Sequence, residues 1–263
     1  MTARQRADRL LVERGLFESR ARAQAAIAAG RVSADGIALH KPSEQIPANA
    51  VIKAEPAHPY VSRGGVKLAA ALDRFGLDVT DRVCLDVGAS TGGFTEVLLG
   101  RGARRIYAVD VGRAQLHPRL RGHERVVSIE GTDIRTLDAG QFAGHTDLAT
   151  PDLATPDLAT PDLATPDLAT VDVSFISLKL VLPAIGKLLA GRAQLLALVK
   201  PQFEAGRREI KKGIVRDAKI HDAVCDDIAA FLVGEGWRVG GRMASPIPGG
   251  DGNQEFFIEA ERG

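Results

Sequence analysis

The chain has 263 residues, 45% of them hydrophobic and 25% charged, with 34 Lys+Arg against 33 Asp+Glu and a formal net charge of +1. That length exceeds one ordinary domain of roughly 100–200 residues, so two units are expected, and the composition excludes a disordered or collagen-like chain. No apolar run approaches the ~18 residues of a spanning helix, no secretory signal follows Met1, and Cys84 and Cys225 form neither a disulfide framework nor a metal pair; a cytoplasmic protein with no metal is expected.

The first unit, residues 1–58, opens with a helix over residues 6–14 that carries Leu10, Leu11 and Val12 and is closed by Gly15. Ser19 caps a second helix over residues 20–29, where Ala23, Ala26 and Ile27 recur at helical spacing before Gly30. Residues 31–33 and 37–39 alternate around Asp35-Gly36, a favoured hairpin turn, and residues 51–54 add a short strand. Arg4, Arg6, Arg9, Arg14, Arg20, Arg22 and Arg31 crowd guanidiniums onto this small surface, a pattern suited to bidentate phosphate contacts. Arg6-x-Asp8-x-x-Leu11-Val12-x-x-Gly15-Leu16, Ser19-Arg20-x-x-Ala23, Ile27-x-x-Gly30-x-Val32 and Asp35-Gly36 resemble the alpha-L RNA-binding motif.

A linker over residues 59–67 leads to the second unit, residues 68–263. Residues 83–99 read as a buried strand, a Gly-rich turn and a helix carrying Val97, Leu98 and Leu99, the first half of an open α/β unit. Such a turn lets backbone approach a ligand at the helix N-terminus. It lacks the Gly-Lys-Ser/Thr of a phosphate loop, and its glycines at 88, 92 and 93 do not fit G-x-G-x-x-G. The next strand, residues 105–110, ends in Asp110, placed to hydrogen-bond adjacent ribose hydroxyls. A third strand over residues 126–129 precedes Asp133. Asp86 near the first turn, Asp110 on a ribose and Asp133 near an adenine amine resemble the S-adenosylmethionine site of class I methyltransferases. That resemblance adds Gly88, Ser90, Thr91, Gly92, Gly93 and Phe94 as cofactor contacts.

Residues 147–166 repeat Asp-Leu-Ala-Thr-Pro four times, with prolines at 151, 156, 161 and 166 that deny a helix or central strand its donors. They read as a 20-residue loop insertion ahead of a core strand that runs from Asp167 into Asp172. Leaving them out moves the formal balance from +1 to +5, an excess carried by the first 67 residues, where 11 Lys/Arg oppose 6 Asp/Glu. Near-zero net charge therefore argues nothing against an RNA partner.

Downstream come a helix over residues 180–189 interrupted or kinked at Pro183, a strand over 194–199, a helix over 217–233 and strands over 237–243 and 254–259. Asp172 and Lys200 follow strands, and strand C-termini in an open α/β sheet form the ligand crevice, so the two face it together. With Lys67 and Glu255 they resemble the Lys-Asp-Lys-Glu tetrad of RNA ribose 2′-O-methyltransferases. Lys200 is the candidate for taking or masking the 2′-hydroxyl proton, with Lys67 a neighbouring cation. Arg207, Arg208, Lys211 and Lys212 in the loop beyond Lys200 are candidates for phosphate steering.

The alpha-L motif, Val61-Ser62-Arg63-Gly64-Gly65-x-Lys67-Leu68, Cys84-Leu-Asp86-x-Gly88, Asp172-x-Ser174-Phe175-Ile176-Ser177-Leu178, Val199-Lys200-Pro201-Gln202-Phe203-Glu204 and Gly252-Asn253-x-Glu255 together resemble the TlyA family. The resemblance covers the whole chain except the repeat. It implies a Rossmann-like α/β methyltransferase sheet of seven strands, the last antiparallel, behind a small α+β RNA-binding domain. It also implies S-adenosylmethionine-dependent methylation of cytidine 2′-hydroxyls in ribosomal RNA. Arg4, Arg6, Arg9, Arg20, Arg22 and Arg63 join the loop cations as candidate RNA contacts. Two other functions stay open: a non-catalytic ribosome-assembly factor using the same surface, and a haemolysin, for which the sequence offers neither export signal nor spanning run.

Overall fold

The computed structural model describes residues 3–138 and 165–263. The expected loop over residues 147–166 lies outside the described residues except for Thr165 and Pro166. The chain divides into two compact units, Met1–Pro59 and Tyr60–Gly263.

In the first unit, helices α1 (Ala7–Glu13) and α2 (Arg20–Ala28) pack through Leu10, Leu11, Ala23, Ala26 and Ile27, all buried. Ser19 caps α2 by accepting from the Arg22 N–H, and Gly15 and Gly30 leave the two helix ends with positive φ, as their spacing predicts. Two more strands form than expected. Strand β1 (Arg4–Arg6) precedes α1, and β2 (Val32–Ala34), β3 (Ile37–Ala38), β4 (Gln45–Pro47) and β5 (Ile52–Ala54) follow α2. They form a three-stranded sheet, β3-β2-β5, and a separate β1-β4 pair. Three-residue strands of Arg-Gln-Arg and Gln-Ile-Pro lack the apolar alternation that sequence patterning reads, so this pair was not expected.

The second unit begins with helix α3 (Arg63–Phe75), so residues 63–67, expected in a linker, form its first turns. Strand β6 (Val83–Val87), helix α4 (Gly93–Gly100), β7 (Arg105–Asp110), the short α5 (Pro118–Arg121) and β8 (Val126–Glu130) follow, then a single 3₁₀ turn, Ile134–Thr136. After the undescribed stretch come β9 (Leu168–Val171), α6 (Leu178–Leu188), β10 (Ala193–Val199), α7 (Pro201–Glu204), α8 (Ala218–Gly234), β11 (Arg238–Ala244) and β12 (Phe256–Arg262). The seven strands lie in the order β11-β12-β10-β9-β6-β7-β8, with β12 antiparallel to both its neighbours and the rest parallel.

Helices cover both faces of this sheet, which is why its central strands read as continuous apolar runs. Along β6, Val83, Leu85 and Val87 meet α6 and α8, while Cys84 turns to the opposite face with Leu68 and Leu72 of α3 and Leu98 of α4. Each fully buried Leu here stabilises the unit by roughly 1.5–3 kcal/mol. Pro183 does not interrupt α6, which runs unbroken through it. Its missing donor removes one ladder bond, and the buried stripe of Leu178, Val181, Leu182, Ile185 and Leu188 holds the helix against the sheet regardless.

Candidate active site

Sheet register brings the proposed tetrad to one edge. Val87 pairs with Val171, Val171 with Ala197, and Val199 with Phe256. Asp172 and Lys200 therefore leave the C-terminal ends of adjacent parallel strands, and Glu255, just ahead of antiparallel β12, stands opposite Lys200. Gly88 makes this edge tight: a Cβ there would sit 2.5 Å from the Asp172 carbonyl oxygen. With φ +83, the position suits glycine on both counts.

The four side chains form two ion pairs. Lys67 on α3 reaches Glu255 at 2.5 Å, and both are buried, with relative exposures of 8% and 2%. Lys200 Nζ lies 2.6 Å from Asp172 and donates to Ser174 Oγ at 2.8 Å. Glu204 braces the same loop, accepting from the Ser177 hydroxyl at 2.5 Å and the Leu178 N–H at 2.7 Å, and burial raises its carboxyl above the usual range. Phe175 sits in this loop with φ +65, is 90% exposed, and packs on Phe203 with ring centroids 5.1 Å apart.

A cavity of about 470 Å³ opens at the same sheet edge, lined among others by Gly88, Ser90, Asp110, Asp133, Asp172 and Phe175. Asp110 Oδ2 accepts from the Ser90 N–H at 2.8 Å and Oδ1 from the Gly112 N–H at 2.7 Å. A carboxylate has about four acceptor sites, so capacity remains for vicinal hydroxyls. Val87, Val111, Ile134 and Val181 supply apolar wall, and the volume falls within the roughly 300–1,000 Å³ of small-molecule sites. The cavity is thus large enough for a nucleoside-sized ligand, with acceptor capacity on Asp110 facing it.

The other expected cofactor residues divide. Asp133 lines the cavity, but the Arg135 guanidinium grips both its oxygens and holds its carboxyl below the usual range. Asp86 is fully buried and does not line the cavity; it accepts from Thr95 Oγ1 at 2.6 Å and Thr170 Oγ1 at 3.3 Å, and burial pushes its carboxyl up to about 7. Its place is beneath the Gly-rich turn, tying β6 to α4 and β9. Thr91, Gly92, Gly93 and Phe94 do not line the cavity either. A Cβ on Gly93 would fall 2.1 Å from Ser62 Oγ, and Phe94 stacks on Phe257 with centroids 6.1 Å apart, so these two serve the packing of α3, α4 and β12.

Among the cations, Arg6 and Arg20 converge on the buried Asp8, at 3.0 and 2.7 Å, and hold its carboxyl well below the usual carboxylate range. Arg22 pairs with Glu18, Arg31 with Glu55, Arg4 donates to the Gln45 carbonyl and Arg14 to the Ala48 and Ala50 carbonyls. Arg63 donates to the Pro248 carbonyl at 2.7 Å. Arg9, Arg207, Arg208, Lys211 and Lys212 are exposed, and their side chains have no hydrogen-bonding or ionic partner among the described residues. Ser174, Phe175 and Asn253 stood in the motifs without an assigned role; a hydroxyl, an exposed aromatic and a buried amide look alike until their neighbours are placed.

Among the described residues, no His/Cys/Asp/Glu group could hold a metal ion and no helix is long and apolar enough to cross a membrane. The two thiols are buried, and burial pushes Cys84 up to about 12 and Cys225 up to about 11.

Residues 60–262 match the FtsJ-like methyltransferase family. The chain is 46% identical over 259 residues to YqxC of Bacillus subtilis (strain 168), named for rRNA methyltransferase activity, covering 97% of this chain and 85% of that protein. It is 40% identical over 261 residues to the 16S/23S rRNA (cytidine-2′-O)-methyltransferase TlyA of Mycobacterium tuberculosis, covering 98% and 90% respectively. A hemolysin-named structure from Streptococcus thermophilus superposes with a TM-score of 0.73 at 42% identity, over 100% of this chain and 90% of that one. The chain belongs to the FtsJ-like methyltransferase family, and within it to the TlyA proteins.

Proposed function

We infer that the protein methylates a cytidine ribose 2′-hydroxyl in ribosomal RNA, with S-adenosylmethionine as donor. The observation that carries this reading is the pairing of Lys200 with Asp172 and Ser174, two residues that line a nucleoside-sized cavity, inside a chain 40% identical to a named cytidine-2′-O-methyltransferase. When bound, S-adenosylmethionine supplies an electrophilic methyl on a sulfonium. Asp110 is the residue we assign to its ribose, and the backbone at Gly88 and Ser90 to its close approach.

The substrate oxygen must lose a proton as the O–C bond forms and the S–C bond breaks. Asp172 and Ser174 engage two directions of the Lys200 amine. The remaining direction is left for the 2′-hydroxyl, which meets the lone pair of Nζ once the ammonium has given its third proton to solvent. The proton then rests on Nζ, with the Asp172 carboxylate beside it to offset the charge. Glu255 is more deeply buried than Asp172, and its pair with Lys67 forms the wall across from Lys200. Orientation supplies the rest of the rate, since both reactants are held rather than met by diffusion.

The exposed cations of the loop beyond α7 and of the first unit are the surfaces we assign to phosphate. Work on ribosomal RNA would place the protein in the cytoplasm. The purified protein, incubated with methyl-labelled donor and separate 16S and 23S ribosomal RNA or subunits, should label a cytidine 2′-oxygen in at least one. RNA binding without any incorporation would instead support the assembly-factor reading.

A further inference from the structure

Asn253 is wholly buried, two residues before Glu255, and its side chain bonds to a different segment of the chain. Its Nδ2 donates to the Gly213 carbonyl at 2.9 Å, and its Oδ1 accepts from the Val215 N–H at 3.0 Å. These two bonds admit one amide orientation, because the reverse would set donor against donor. Both partners belong to a hairpin closed by paired Lys211 and Ile214 bonds at 3.0 and 3.1 Å, with Lys212 and Gly213 at positive φ in its turn. Arg207, Arg208, Lys211 and Lys212 sit on and just before that hairpin, exposed, with side chains that have no partner among the described residues.

The same residue also reaches the tetrad. The Asn253 carbonyl accepts from the Gly249 N–H at 2.8 Å, and a Cβ on Gly249 would lie 2.4 Å from Glu255 Oε1. Asn253 therefore joins, by its side chain, the basic hairpin and, by its backbone, the turn resting on the Glu255 carboxylate. His221 adds a second tie, with Nε2 3.0 Å from the Val215 carbonyl and its ring against Phe256, 5.3 Å between centroids.

We propose that Asn253 is a positioning residue that fixes the register between the phosphate-binding hairpin and the Lys67–Glu255 side of the active site. The inference rests on the functional reading above. A cationic hairpin on a slack loop would attract RNA without setting where a given 2′-hydroxyl arrives, and small misplacement in a positioned reaction is costly. Fastening it to the Glu255 segment gives docking and chemistry one frame.

Asn253→Asp keeps the size and the acceptor for Val215 but cannot donate to Gly213. It should raise the KM for ribosomal RNA roughly tenfold, leave cofactor affinity unchanged, and flatten the salt dependence of RNA binding. In a protein already carrying Arg207→Ala, Arg208→Ala, Lys211→Ala and Lys212→Ala, the same substitution should add little further loss. Losses that multiply would overturn the proposal, as would a fall in kcat with KM and salt slope untouched. Amide exchange in the unaltered protein provides a check that needs no variant: the Val215 N–H should be protected like the paired amides of β12, and fast exchange there overturns the tie. An inactive wild-type protein would sink the functional reading and this inference with it; an active one with independent losses sinks only this inference.

Discussion

Two lysine–carboxylate pairs stand at one sheet edge with the same chemistry and different surroundings. Lys67–Glu255 is closed in, with side-chain exposures of 10% and 3% and a glycine turn pressed on the carboxylate. Lys200–Asp172 is open on its carboxylate side: Lys200 is as buried as Lys67, with a side-chain exposure of 10%, but the Asp172 side chain is 20% exposed and lines the cavity beside Ser174. Burial decides what each pair is for. A closed pair cannot exchange a proton with a substrate it does not meet, but it costs much to break, because removal of one member strands the other away from water. An open pair has a free direction for a reacting atom, and water can enter to solvate whichever member is left alone.

The largest effect should therefore come from the open pair. Lys200→Ala should lower kcat by roughly 10²–10⁴-fold with cofactor affinity unchanged and only a small change in melting temperature. Retained turnover would remove Lys200 from the chemistry and the contrast with it. The closed pair should respond in the other currency. Lys67→Met strands the Glu255 carboxylate and should cost about 3–5 kcal/mol in denaturant unfolding, while Lys67→Met with Glu255→Leu recovers most of it. Where the single variant remains folded, its kcat should fall less than that of Lys200→Ala. The reverse order would reassign the two pairs.

Much of this was legible from the chain. Covered strands read as apolar runs, acids fell at strand ends, and glycines marked the turn, so the α/β class was readable from β6, β7 and β10, while the seven-strand count and the four members of the tetrad came from the family resemblance. Pairing was not legible. Nothing in spacing tells Lys67 to choose Glu255, because that choice is set by where α3 packs on the sheet. Side-chain direction was not legible for Asp86 either: an acid beside a Gly-rich turn resembles a ligand contact, and alternation along β6 turns it inward to Thr95 and Thr170. The guanidiniums of the first unit look equivalent in sequence, whereas Asp8 binds Arg6 and Arg20 and leaves Arg9 exposed. Partner counts, which residue counts cannot supply, separate structural cations from those free for phosphate.

Ser174 gives the finest test of the difference between the pairs. Lys67 has a carboxylate partner alone; Lys200, equally buried, has a carboxylate and a hydroxyl, and the hydroxyl lies on the cavity side. If the open pair works by leaving one direction of Nζ for the 2′-hydroxyl, the Ser174 bond is what restricts the choice. Ser174→Ala removes one hydrogen bond worth about 0.5–1.5 kcal/mol and leaves the Asp172 pair intact. The amine then gains a second open direction, so kcat should fall by up to roughly tenfold while the KM for RNA stays level. Ser174→Thr keeps the hydroxyl and should restore most of the rate. Should Ser174→Ala lower RNA affinity and spare kcat, the hydroxyl serves substrate binding, and the open direction of Lys200 is set by Asp172 alone.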